Sequence, residues 1–240
     1  MASAAVIGLH GYTGDAHARD GRLLYREQHL IWSQDGHTRR LVVYRCPDGQ
    51  AFARKHLLSE GTPATPAFRL RDGVTGQEVE VKHDTAGVTV SYQARADAVP
   101  KQRQLSLPAQ AIIDAGFDAY VHEHWSALLN GAIQRVHFLV PSRREWMNFT
   151  VRRVASDSGS VTYRLELGRW FAFLLPHVDV RYSLGDRRLL EYRGPSNLSD
   201  AQGNNPWVDI RFPAAQVFAQ LPVSELQAAE QTPLDGRCAL

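Results

Sequence analysis

Pairs of residues that tolerate positive φ interrupt this chain at short intervals, and the segments between them are rich in β-branched and aromatic residues. Asp20-Gly21, Asp35-Gly36 and Asp48-Gly49 bound runs at 22–32 and 39–45, and 51–58 follows. Asp72-Gly73, Thr75-Gly76 and Ala86-Gly87 separate further runs at 68–71, 78–82 and 88–93. Asp-Gly supplies the backbone freedom that tight hairpins need. A sequence punctuated in this way folds as an antiparallel meander, not as parallel strands joined by helices. Strand character returns at 133–140, 148–154, 161–167, 178–183, 188–192 and 207–212.

One segment breaks the pattern. Phe117, Tyr120, Val121, His124, Trp125 and Leu128 recur at spacings of three and four, which predicts an amphipathic helix over 108–129. Pro108 suits its start and Gly131 its end, while Gly116 marks a kink or break. The fold expected is mainly β (α+β): a single curved antiparallel sheet or half-barrel over 12–212, with this helix on its concave face. Residues 214–221 suggest a short helix. One domain over 1–221 then ends in a Gln-, Ala- and Glu-rich tail at 222–240, expected to fray.

Composition narrows the class of function. The 240 residues carry 27 basic and 25 acidic side chains, so no global field draws the chain to nucleic acid or to an anionic membrane. The longest apolar run, Trp170-Phe171-Ala172-Phe173-Leu174-Leu175, falls far short of the roughly 20 residues of a membrane-spanning helix. Ala2-Ser3-Ala4 has the small-residue character of a signal cleavage site without a basic region before it, which leaves export and a cytoplasmic location both open. Cys46 and Cys238 match no metal spacing or disulfide framework, and no structural disulfide is expected.

Candidate chemistry is sparse. Ile7-Gly8-Leu9-His10-Gly11-Tyr12-Thr13-Gly14 is similar to the His-Gly oxyanion loop of α/β-hydrolases, but no Gly-x-Ser-x-Gly elbow follows it. His122 and His124 stand two apart and diverge by about 200° on a helix, so they cannot share a metal. One is expected to face the core and the other water. The pairs Arg39-Arg40, Arg143-Arg144, Arg152-Arg153 and Arg187-Arg188 split between opposite faces of a strand, which favours solvated sheet surface over a phosphate-binding patch. Asp114, Asp118, Asp179 and Asp209 are too dispersed to name an acid–base pair. No catalytic residue, metal ligand or cofactor is expected.

The last third carries a family likeness. Val178-Asp179-Val180-Arg181-Tyr182, Arg188 through Gly194, Asn197-Leu198 and Val208-Asp209-Ile210-Arg211-Phe212 together resemble the closing strands of periplasmic LolA/LolB-like proteins and related uncharacterised bacterial families. Cys46 and Cys238 do not stand where the LolB-type lipidation cysteine belongs. The resemblance implies a half-barrel of the bacterial envelope that carries a lipid or acyl chain between sheet and helix, without catalysing a reaction. Large aromatics then suggest a pocket lined by Phe117, Trp125, Phe138, Phe149 and Phe171. The alternatives are an interaction scaffold with a fully packed core, and a hydrolase-like enzyme whose site is assembled from distant residues.

Overall fold

The computed structural model describes residues 5–60, 62–168 and 177–240. Its first half is an up-and-down series: β1 (Ile7–His17), β2 (Leu23–Gln34), β3 (His37–Arg45), β4 (Ala51–Leu58), β5 (Ala67–Asp72), β6 (Glu78–Asp84), β7 (Gly87–Gln93) and β8 (Lys101–Leu105). Then come the two-residue β9 (Ala111–Ile112), helices α1 (Gly116–Glu123) and α2 (Trp125–Leu129), and strands β10 (Gln134–Val140), β11 (Glu145–Ser156) and β12 (Ser160–Leu167). β13 (Val178–Ser183), β14 (Leu189–Pro195), β15 (Trp207–Arg211), β16 (Val217–Phe218) and α3 (Val223–Gln231) complete the described elements.

All sixteen described strands belong to one open sheet, and every pairing is antiparallel except the short contact between β9 and β10. β1 is its seam. One edge of β1 pairs along β2, and the other takes β15 at Asp15 to His17 and β16 at Gly11 and Tyr12. The oxyanion-loop-like motif is therefore a central strand. A side chain at Gly11 would collide with the carbonyl of His29, and one at Gly14 with the ring of Phe212. Those two glycines let neighbouring chains approach, which accounts for them without chemistry.

The expected helix over 108–129 is shorter than its periodicity suggests. Gln110 and Asp114 adopt φ of 53° and 48°, which no α-helix accommodates, and Ala111 and Ile112 pair with β10 instead. A second break falls at His124. Phe117, Val121, Trp125 and Leu128 are buried, packed with Tyr120 onto Val136, Val151, Tyr163 and Tyr182 of the second-half strands. The β10–β11 hairpin serves two cores: Val136, Phe138, Phe149 and Val151 meet the helices, while Leu139 and Trp146 join the cluster built on β2 to β7. The Trp146 indole N–H also donates to the Ser106 carbonyl at 3.0 Å, tying this hairpin to the end of β8.

In the C-terminal tail residues 223–231 form α3, and the 214–221 segment is a single 3-10 turn followed by β16. Leu226 and Ala229 of α3 cover Leu30, Trp32, Leu41 and Val43 on the outer face of β2 and β3. Beyond α3, the Gly236 amide donates to the Ala51 carbonyl at 2.9 Å and Arg54 donates to the Thr232 carbonyl. Cys238 then forms a disulfide with Cys46, their Cα atoms 5.5 Å apart across 192 residues. The expectation of no disulfide is overturned because a partner so distant in sequence is brought close only by the docked tail. No described helix is long and apolar enough to cross a membrane.

Candidate functional site

Strand alternation sends most charged side chains outward, and the exceptions define the candidate site. On β2, Glu27 and His29 share the phase of Tyr25; on β3, Arg40 shares that of Val42 and Tyr44; on β4, Lys55 shares that of Ala53 and Leu57. Tyr25, Val42, Tyr44, Ala53 and Leu57 all belong to the first-half core, so these four polar residues point into the interior. Tyr12 of β1 lies opposite His29 in register and stacks on it, ring centroids 4.4 Å apart, with Phe212 set edge-on to both.

Most of these groups already have partners. Lys55 Nζ donates to Asp114 Oδ2 at 2.8 Å, both side chains nearly buried, and Asn197 Nδ2 donates to Asp114 Oδ1 at 3.2 Å. His29 Nε2 lies 3.0 Å from Glu27 Oε2, whereas the buried Nδ1 of His29 has no hydrogen-bond partner among the described residues. Burial holds the His29 pKa below its ordinary value despite the Glu27 carboxylate. The hydroxyls of Tyr25, Tyr44 and Tyr182 are pushed well up by burial and stay protonated.

Arg40 differs from the rest. Its side chain is partly buried and makes no hydrogen bond or ion pair among the described residues, and Asp118 and Asp114 are the carboxylates that act on its charge. Burial alone would lower its pKa, and those neighbours more than offset that, leaving the guanidinium firmly charged. Arg39, one residue earlier and on the other face, reaches Asp35 at 3.7 Å.

The outer face of β11 to β15 carries a separate array of charges. Arg164 grips Asp179 with two hydrogen bonds of 2.7 and 2.8 Å, and Arg152 pairs with Glu166 at 2.8 Å. Arg193 sits between Glu191 at 2.8 Å and Asp209 at 3.7 Å, and Arg211 adds to Asp209 at 3.0 Å. A shallow groove of about 340 Å³ runs past Asp179, Arg181, Glu191 and Arg193. Opposite charges meet across each strand pair, so this face offers little unbalanced charge to a ligand.

The residues expected to line a pocket are distributed as follows. Phe117 and Trp125 are buried in the helix-facing cluster, with Trp125 edge-on to Tyr163 and Tyr182. Phe138 and Phe149 are partly buried, meet edge-on at 5.8 Å and pack against the same cluster. Phe171 lies outside the described residues. Of the histidine pair, His122 is exposed near Asp118, and His124 stacks on Tyr120 at 4.1 Å. Of the four dispersed aspartates, Asp114 joins the interior cluster through Lys55, Asp118 lies 3.8 Å from the exposed His122 with its own side chain 37% exposed, and Asp179 and Asp209 belong to the outer array.

Sequence reasoning did not single out Tyr12, Glu27, His29, Arg40 or Lys55 as a group. The signal was present: each charged member falls in the apolar phase of a strand.

The fold and site thus define an open, mainly antiparallel sheet with a polar cluster between two apolar cores. No family model matches the chain, and no curated protein matches it. A solved structure similar to it is the β-barrel-like protein of domain of unknown function DUF1849 from Brucella abortus, with 7% identity and a TM-score of 0.46 over 89% of this chain and 99% of that one.

Proposed function

We propose that this chain is a non-enzymatic binding protein of the bacterial envelope that takes an amphipathic molecule, a lipid or acyl chain with a polar end, into the interior between its two cores. The observation that carries this reading is the interior polar cluster centred on Arg40, flanked on one side by the β2–β7 core and on the other by the aromatic layer under α1 and α2. Lys55 is committed to Asp114 and His29 to Glu27, so what remains is a cation, an imidazole nitrogen and tyrosine hydroxyls, a set suited to holding a molecule rather than to shuttling protons. The Cys46–Cys238 disulfide fits an oxidising compartment such as the periplasm.

The close packing of Phe117, Trp125, Phe138 and Phe149 favours the second reading, an interaction scaffold with a filled core. Titration with a fluorescent acyl probe, followed by melting temperature and native mass spectrometry, separates the two. A carrier is stabilised by about 2.7 kcal/mol when free ligand reaches a hundred times its Kd. A scaffold shows no binding and no ligand-dependent rise.

A further inference from the structure

We propose that Arg40 anchors a singly charged oxyanion, a carboxylate or a phosphodiester, at the head of an apolar chain; this inference rests on the binding reading above. A guanidinium on the inner face of a sheet offers a planar fork of N–H groups that matches a two-oxygen anion. Arg40 has that position, in the phase of Val42 and Tyr44, and no described side chain or carbonyl accepts from it. Its sequence neighbour Arg39 lies on the opposite face with Leu41 and Val43, where it reaches Asp35 at 3.7 Å while its Nε stays buried without a partner.

A second, independent observation points to the same place. His29 is 92% buried by exclusion of solvent, being 8% exposed, and its Nδ1 lacks a partner while Nε2 is held by Glu27. In the β2–β3 register Ile31 faces Arg40 and Val42 faces His29, which makes His29 the diagonal neighbour of Arg40 on the same face. Tyr12 stands opposite His29 on the next strand and stacks on it, ring centroids 4.4 Å apart. Three adjacent strands thus direct a guanidinium, an imidazole nitrogen and a phenol toward one region.

The charge of the anion follows from the surroundings. Arg40 supplies one positive charge and Lys55 is already spent on Asp114, so a single negative charge is what the cluster balances. The apolar chain is assigned from the cores on either side of the cluster.

The test compares a dansylated undecanoic acid with its methyl ester on the native chain, by fluorescence titration. The acid should bind about tenfold or more tightly than the ester, the worth of a charge-assisted hydrogen-bond pair. Arg40→Gln should erase that preference and Arg40→Lys should keep part of it, with ester affinity unchanged in both. Equal affinity of acid and ester for the native chain overturns the anchor while leaving the binding reading intact. Binding of neither probe removes the binding reading itself. The acid-to-ester ratio needs no variant, so a misfolded Arg40→Gln does not block the test. Inorganic phosphate or acetate, added alone as competitors, settles the source: displacement at equal affinity by a free ion overturns the chain-bearing head group, and no displacement supports it.

Discussion

Lys55 and Asp114 form an ion pair of 2.8 Å that joins β4 to the residue two positions before α1, with side chains 6% and 12% exposed. Each charge makes the other tolerable in a dry setting, and Asp114 holds its place at a φ of 48°. Replacing one partner strands the other.

Lys55→Met should therefore lower the unfolding free energy by about 3–5 kcal/mol, read from urea denaturation. Adding Asp114→Asn should return a substantial part of the loss, because Asn is neutral, tolerates positive φ and still accepts from Asn197. A double variant no more stable than Lys55→Met would contradict this account of the pair.

The disulfide closes a loop spanning 192 residues, so its removal releases a large part of the unfolded ensemble from constraint. The paired substitution Cys46→Ser with Cys238→Ser should cost about 2–5 kcal/mol. Hydrogen exchange should rise most over α3 and the residues after it, where docking rests on Leu226, Ala229 and a few hydrogen bonds. An unchanged melting temperature would show that the tail is held without the bond.

Trp125 is 5% exposed and meets Tyr163 and Tyr182 edge-on, with the Arg187 guanidinium 5.2 Å from its ring centre. Trp125→Ala should destabilise the fold by about 3–5 kcal/mol through lost burial and a residual void. A calorimetric midpoint equal to that of the parent would place the helix face wrongly.

Acid should weaken the fold through His29. Burial depresses its folded-state pKa below the ordinary value of about 6.5, against the pull of Glu27 and with the charges of Arg40 and Lys55 acting in the same direction as burial. The unfolded chain therefore binds the extra proton, so this stabilisation is complete above about pH 6.5 and declines as pH falls below it, by at most about 1.4 kcal/mol per pH unit. His29→Gln, which retains a donor for Glu27, should flatten the stability profile between about pH 6.5 and 5.5. The same slope in the variant would assign it to other groups.

How much of this was visible in the chain differs by element. The strands near 22–32, 39–45 and 51–58 stand out because Asp-Gly turns and alternation are local properties, and the structure places β2, β3 and β4 there within a few residues. β1 was hidden by its glycines, which look like loop chemistry until Phe212 and the His29 carbonyl are seen lying against them. The periodicity of 117–128 found the buried face correctly and overran the helix start, because pairing of Ala111 and Ile112 with β10 outweighs local helix propensity.

By itself, then, the sequence determined the antiparallel β class, the apolar face of the central helices and the outward direction of most charges, since each depends on side-chain periodicity over a few residues. Tertiary structure alone decided that β1 joins two half-sheets, that the polar tail docks as α3, that Cys46 meets Cys238, and that Arg40, His29, Lys55 and Asp114 share one interior. These relationships depend on which distant segments lie against each other. That choice is made by burial of the whole chain at once, and no local window of residues contains it.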